Sequence, residues 1–311
     1  MGAYFRRLLL AIRRYGRLMP HRTRGDSLRW TLVAVSLLAV ACRGETSSEQ
    51  SLPEGISVVD ASGSERFFAV PATRVISLVP SATQTLRALG VDSVLVGRTE
   101  FDEQEWLAHV PSVGGGLEPN LEQIVALSPD LVIRFHGEQD SRTPARLDEL
   151  GIRHVAVRPD RLEDVYATVL LLGRVTGADA AADSLVRVIE AGLAALSLRV
   201  AQLPRLRTAY VLGGTPPWIA GPNTYIDEII GLVGGDNAFD DLQLLYAAVS
   251  PEELRAREID VVLVSDASEF DATLTPRARI VEIGSVLEIP GPNVVDAAWR
   301  VAELLHGISL R

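Results

Sequence analysis

NLEQIVALSPDLVI at residues 120–133 and SPEELRAREIDVVL at residues 250–263 follow one plan. Aligned without gaps, they pair Glu122 with Glu252, Ile124 with Leu254, Ala126 with Ala256 and Asp130 with Asp260. Each opens on a residue that suits a helix N-cap, Asn120 or Ser250, with Gln123 or Glu253 three places on to complete a capping box. Pro251 suits the first helical position. Each closes on a short apolar run, LVI or VVL, of the kind that forms a strand buried in a sheet. The same helix-to-strand unit, written twice, implies two similar lobes.

Outward from the first copy, residues 56–59 and 67–70 read as a hairpin across a Ser-Gly turn. Strands at 75–78, 94–96, 131–135 and 155–157 then alternate with helical stretches, which signals a parallel α/β lobe. Residues 178–203 carry the longest helical pattern, with Leu185, Val188, Ile189, Leu193, Leu196 and Val200 near a 3.6-residue spacing. At about 1.5 Å per residue such a helix reaches roughly 40 Å, enough to brace two lobes. A second series follows, with strands at 208–212, 261–264 and 280–283 and helices at 225–233, 250–257 and 296–305. The fold class is therefore read as α/β, two Rossmann-like lobes joined by a long rigid backbone helix. The expected division is a leader at 1–41, an N-terminus and tether at 42–54, lobes at 55–177 and 204–311, and the connecting helix at 178–203.

A chain of 311 residues with 47% apolar content can bury two cores. All 30 basic residues are arginine, a bias that fits genomic base composition better than site chemistry. Residues 1–41 hold eight arginines and one acid, Asp26, whereas the remainder holds 22 arginines against 39 acids. So acidic a body repels nucleic acid and anionic membrane surfaces, and excludes them as partners of the mature protein. A basic stretch from Arg22 to Arg29, 12 apolar residues at 30–41 and small residues ahead of Cys42 read as a secretory signal. The apolar run falls short of the roughly 20 residues a membrane span needs. AVAC resembles a bacterial lipobox and implies lipidation of Cys42, although Leu38 stands one place further from the cysteine than usual, with Ala39 in its position. Cys42 is the only cysteine, so no disulfide forms within one chain. A start at Met19 in place of Met1 would give a leader of ordinary length. Residues 44–54, rich in Ser and Glu, suit a flexible tether.

Signatures of catalysis are missing. The sequence has no GxSxG elbow, Walker loop or HExxH, and the glycines at 114–116 precede Leu117 and Pro119 instead of opening a helix. His21, His109, His136, His154 and His306 show no paired metal-ligand spacing. Asp266, Ser268 and Asp271 imitate a calcium loop but lack its glycine and terminal glutamate. No catalytic residue, metal or cofactor is expected. Glu122 and Glu252 fall in the first turns of their helices, where the macrodipole alone favours a carboxylate by roughly 0.3–1 kcal/mol.

RVISLVPSATQTLRALGV (74–91), VGGGLEPNLEQIVALSPDLVI (113–133) and GGTPPWIAGPNTYIDEIIGLVGGDNAF (213–239) together resemble the substrate-binding proteins of ABC importers with a helical backbone. These are the class III periplasmic binding proteins, and the similarity is to their cobalamin-binding branch. The resemblance covers residue 56 to the C-terminus. It implies an exported monomer, lipid-anchored in the periplasm or at the cell surface, that holds one small molecule between its lobes. It further implies delivery to an ABC permease dimer and its ATPase, with no chemistry performed. In that family the repeated glutamate of each lobe pairs with permease arginines, so Glu122 and Glu252 are implied docking residues. Two equivalent carboxylates suit a two-fold partner and charge-assisted bidentate contacts.

By motif position, Phe101, Trp218 and Tyr246 match pocket aromatics of cobalamin-binding relatives, and Tyr225 is a nearby candidate; large flat ligands gain from such surfaces. Core packing is the competing reading for each. Gly116 departs from the pattern, standing where the best-known cobalamin binders carry a tryptophan. Haem or a ferric siderophore, held by the same architecture, is the alternative ligand. His136 could ligate a metal centre through neutral imidazole, and Arg98 and Arg134 could hold an anionic siderophore. A solvated loop histidine and ordinary surface arginines are the competing readings. A zinc or manganese receptor would need a histidine set that the chain lacks. An enzyme or a structural lipoprotein on a two-lobed fold is the remaining class, without a catalytic constellation to support it.

Overall fold

Unbroken apolar runs build two sheets, each covered on both faces. The computed structural model describes residues 55–140 and 142–310. The expected leader, Cys42 and the tether lie outside the described residues. In the N-terminal lobe, β3 (Val75–Ser77), β4 (Leu95–Gly97), β5 (Leu131–Phe135) and β6 (His154–Val157) form a parallel sheet in the order β4-β3-β5-β6. Successive strand residues point to opposite faces. Val75, Leu131, Ile133, Val155 and Val157 enter one core and Ile76, Leu78 and Val132 the other. Helix α1 (Pro80–Ala88) packs on the first face. Helix α2 (Leu121–Ala126), through Ile124, and α3 (Thr143–Glu149), through Leu147, cover the second.

The hairpin pairs β1 (Ile56–Val59) with β2 (Glu65–Phe68). The second strand starts two residues before the expected position, because the Asp60 carboxylate draws the Ser62 and Ser64 N–H groups into the turn and closes it early. Asp60 also accepts from the Ala156 N–H at 3.0 Å, while the Ala61 N–H donates to the Ala156 carbonyl at 3.0 Å. These bonds fasten the hairpin to β6.

In the C-terminal lobe, β7 (Leu206–Gly213), β11 (Val261–Val264) and β12 (Arg279–Glu282) run parallel. Three short strands finish the sheet. β9 (Gly235–Asn237) pairs with the first half of β7, β8 (Trp218–Ala220) with its second half, and β10 (Tyr246–Ala248) adds to β8. These three lie outside the sequence expectation, since three residues are too few to show a two-residue period. Helices α6 (Tyr225–Leu232), α7 (Pro251–Ala256) and α8 (Val294–His306) complete the lobe.

The duplicated segments occupy equivalent places. β5 sits between β3 and β6 as β11 sits between β7 and β12. Asn120 accepts from the Gln123 N–H and Ser250 from the Glu253 N–H, both at 3.0 Å, and Ile124 and Leu254 are fully buried. The Glu253 carboxylate turns to Arg257 at 3.1 Å. The paired aspartates tie each helix-to-strand unit to the first parallel strand of its lobe. Asp130 accepts from the Thr73 N–H and hydroxyl, both at 2.9 Å, and from the Arg74 N–H at 3.1 Å, and Asp260 accepts from the Arg207 N–H at 2.8 Å.

The lobes are joined by two helices, α4 (Leu162–Thr176) and α5 (Asp179–Val200). α5 corresponds to the expected connector, about 33 Å long at 1.5 Å per residue. Its Ala182 belongs to the N-terminal core, while Ile189, Leu193, Leu196 and Val200 belong to the C-terminal one. Val188, expected on the buried stripe, is 64% exposed. α4 is absent from the sequence expectation, because a nearly continuous apolar run at 165–175 hides the helical period. It too spans both cores: Val169, Leu172 and Val175 pack in the N-terminal lobe, whereas Leu162 packs in the C-terminal one.

A polar latch lies beside these helices. Glu228 of α6 accepts from Arg161 Nε at 3.1 Å and from the Leu162 N–H at 2.8 Å, and the Tyr225 N–H donates to the Asp160 carbonyl at 2.6 Å. The first N–H groups of α4 and α6, which no helix can satisfy internally, are thus each satisfied by the neighbouring segment. Hydrogen bonds to charged groups contribute about 1.5–3 kcal/mol. Asp130→Ala, which removes three of them, is expected to lower the thermal midpoint more than Asp260→Ala; equal midpoints in calorimetric scans would contradict this account of the paired aspartates.

Candidate ligand site between the lobes

In open α/β sheets, ligands bind outside the carboxyl ends of the strands. Here those ends lead to His136 after β5, Asp160 after β6, Ser265 after β11 and the 283–293 loop after β12. That loop reaches the other lobe, with Gly291 against Ser81 of α1.

Asp160, next to the Arg161–Glu228 latch, carries a charge that is felt on the other lobe. Burial pushes its carboxyl above the usual range; Arg158, whose Nε lies 2.5 Å away, and His136 oppose the shift, and Asp164 adds to it. Tyr246, from the other lobe, has its phenol pushed up by burial and then by the charges of Asp160 and Tyr210. Tyr210 places its hydroxyl 3.2 Å from that of Ser265; burial raises its phenol, and Glu288 adds to the shift. The charge of Asp160 thus bears on Tyr246 of the other lobe, and that of Glu288 on Tyr210. Asp160, Tyr210 and Glu288 escaped the sequence reading. Asp160 lies in a turn that reads as a helix start, Tyr210 in a strand that reads as core, and Glu288 in a Pro-Gly loop.

The expected pocket aromatics fall in different settings. Tyr246 pairs with Ala220 and Trp218 with Ala248 across β8 and β10, so both side chains are on one face of the sheet as diagonal neighbours. Trp218 is half-buried. Phe101 is half-buried in the loop after β4, its ring 3.9 Å from where a Gly115 Cβ would stand. This loop is pinned by buried Asp102, which accepts from the Thr99 N–H at 3.1 Å and hydroxyl at 2.6 Å. Tyr225 is 2% exposed within the C-terminal core, and its phenol donates to the Leu287 carbonyl. The structure thus puts Tyr225 in the packed interior, with its polar end already engaged. His136 is half-buried and anchored by its own N–H to the Val157 carbonyl at 2.9 Å.

Neither arginine considered for an anionic siderophore is at liberty. Arg98 donates to the carbonyls of Leu107, Val110 and Thr99 at 3.3, 3.0 and 2.9 Å. Arg134, 4% exposed, bonds His154, the Phe135 carbonyl and Asp140 at 3.1, 3.1 and 3.3 Å. Both organise the N-terminal lobe, so neither is an ordinary surface arginine. Glu122 and Glu252 are exposed, and the Glu252 side chain is 82% exposed with Arg255 no nearer than 4.0 Å. Gly116 is buried, and a Cβ there would fall on the Leu78 carbonyl oxygen. The tryptophan of the cobalamin pattern has no room at 116 on this backbone. Among the described residues, no group of three or more His, Cys, Asp or Glu side chains could hold a metal, and no helix is long and apolar enough to cross a membrane.

The family model for periplasmic binding proteins matches residues 75–277. The chain belongs to that family. Its two α/β lobes on a helical backbone are the architecture of the family's class III members. A "Cobalamin-binding protein" of Halobacterium salinarum is 30% identical over 262 residues, covering 76% of this chain and 70% of the relative. A "Vitamin B12-binding protein" of Vibrio vulnificus is 27% identical over 198 residues, covering 63% and 72%. Among solved structures, the periplasmic vitamin B12-binding protein of Vibrio cholerae superposes with a TM-score of 0.64 at 24% identity, covering 76% of this chain and 97% of that one. A periplasmic heme-binding protein of Pseudomonas aeruginosa gives 0.67 at 24% identity, covering 76% and 94%. The fold alone does not choose between these two ligands.

The Gly116 contact makes a contrast with its neighbour. Gly116→Ala is expected to cost about 1–3 kcal/mol as an overpacked site. Gly115→Ala, whose Cβ would meet only Glu100 and Phe101 at 3.8 and 3.9 Å, is expected to leave the thermal midpoint nearly unchanged. Thermal and denaturant melts of the two variants check both statements.

Proposed function

We propose that the protein is an exported, lipid-anchored receptor that captures a corrinoid between its lobes and hands it to an ABC permease. The observation that carries the ligand reading is the pairing of an aromatic face, Trp218 and Tyr246, with a neighbouring carboxylate, Asp160, where Arg98 and Arg134 are committed elsewhere. Such a surface suits a large flat ligand edged with neutral amides. An anionic haem or siderophore gains most from free guanidinium groups. The cobalamin and vitamin B12 relatives support the same ligand class. Phe101 is assigned to the wall of the site, and binding involves no chemistry.

Haem is the second reading, favoured by His136, which interacts with Asp160 at the site, and by the structural likeness to the Pseudomonas aeruginosa heme binder. Absorption titrations of the purified protein with cyanocobalamin, haem and a ferric hydroxamate separate the two. The corrinoid spectrum should shift at one equivalent; saturable binding of haem alone would replace the first reading with the second.

Docking is assigned to Glu122 and Glu252, one exposed carboxylate on the equivalent helix of each lobe. Cys42 is assigned as the lipid attachment point and residues 44–54 as the tether. Reversing both charges, Glu122→Arg with Glu252→Arg, is expected to abolish ligand-dependent stimulation of the permease's ATPase while leaving ligand affinity intact. Full stimulation by the double variant would remove the assignment.

A further inference from the structure

Phe101, assigned above to the wall of the site, sits on a turn that a wholly buried acid holds closed. Thr99, Glu100, Phe101 and Asp102 form this four-residue turn, which the Asp102 N–H closes onto the Thr99 carbonyl at 3.4 Å. Glu100 and Phe101 are its two central residues. The Asp102 carboxylate ties the turn a second time, because its Oδ2 accepts from the Thr99 N–H at 3.1 Å and from the Thr99 hydroxyl at 2.6 Å. That hydroxyl in turn accepts from the Phe101 N–H at 3.3 Å. A continuous path of hydrogen bonds therefore joins Asp102, Thr99 and Phe101. The turn lies at the strand end that meets the other lobe. A Cβ on Gly116 would fall on the Leu78 carbonyl oxygen, just after β3, with the Thr99 methyl 3.7 Å away, and three residues beyond Leu78, Ser81 meets Gly291 of the C-terminal lobe.

We propose that Asp102 is a positioning residue of the interlobe site: acting through Thr99, its carboxylate fixes the turn that aims the Phe101 ring at the ligand. This rests on the reading of Phe101 as part of the wall and names what holds it there. The two sides of the loop are anchored without Asp102, since the Glu100 N–H donates to the Gly114 carbonyl at 2.9 Å and the Val113 N–H to the Arg98 carbonyl at 2.8 Å. Those bonds leave the direction of Phe101 to the Thr99–Asp102 pair. Stability alone gives no reason for an acid at this position. Asp102 and Thr99 are fully buried, and Asp102 Oδ1 has no hydrogen-bond partner among the described residues. Burial pushes the carboxyl above its usual range; Thr99, Thr83 of α1 and the charge of Arg98 oppose the shift. A buried carboxylate oxygen without a donor costs stability, and such departures are expected at functional sites.

The test is a double-mutant cycle on the full chain, read as the dissociation constant for cyanocobalamin. Asp102→Ala should weaken binding about three- to tenfold, the scale of one well-placed aromatic contact. In a Phe101→Ala background it should weaken binding no further. Asp102→Asn keeps one oxygen able to accept both Thr99 bonds, and should restore most of the affinity lost in Asp102→Ala. If Asp102→Ala does not fold, Thr99→Val breaks the same path and should behave alike in the cycle. An equal loss with and without the Phe101 ring, or no loss at all, would overturn the role of Asp102 and leave the corrinoid reading standing. Full affinity in Phe101→Ala would remove Phe101 from the wall and the role of Asp102 with it. A wild type that binds haem and no corrinoid would overturn the corrinoid reading alone, and the same cycle read with haem then decides the role of Asp102.

Discussion

The one constraint on which the arrangement rests is the sharing of α4 and α5 between two hydrophobic cores. A linker of strands can bend without unpacking anything. Here, any rotation of one lobe against the other must pull Leu162 or Ile189 from the C-terminal core, or Ala182 from the N-terminal one. Close packing resists such displacement at every buried methylene. The latch adds direction, because Glu228 satisfies the first N–H of α4 and Asp160 that of α6. The cleft geometry is then largely preset, and little of the binding energy is lost to ordering the site.

Within that frame, the two lobes repeat a common plan and diverge at the sheet edge that carries the proposed ligand aromatics. Both carry the capped helix, the buried Ile124 or Leu254, and an aspartate that ties helix to sheet. The N-terminal sheet ends at β4, whereas the C-terminal one continues through β8 and β10. That added edge presents Trp218 and Tyr246. On the proposed reading, the equivalence of the lobes would serve a two-fold partner and their difference an asymmetric ligand.

Much of the fold was legible in the sequence because its signals are local. Capping at Asn120 and Ser250, the apolar runs of β5 and β11, and the spacing along α5 all follow from neighbours in the chain. At 165–175 the apolar run continues onto the outward face, through Ala167 and Leu170, so periodicity disappears and α4 went unseen. The candidate site was only partly legible. Trp218 and Tyr246 stand out as aromatics between turn residues, but Tyr225, equally prominent, packs in the core. Asp160 gains its meaning from groups on other elements, which no sequence window contains. Arg98 and Arg134, open in the sequence between siderophore-holding and surface arginines, brace backbone carbonyls and Asp140.

A distance measured across the lobes tests the preset cleft most directly. Spin labels at Glu122→Cys and Glu252→Cys, in a Cys42→Ser background, report lobe separation by pulsed dipolar spectroscopy with and without cyanocobalamin. A brace formed by two shared helices predicts a change of no more than about 2 Å on saturation, the scale of pre-organised complexes. A closure on the order of 10 Å, as in hinge-bending receptors, would contradict it.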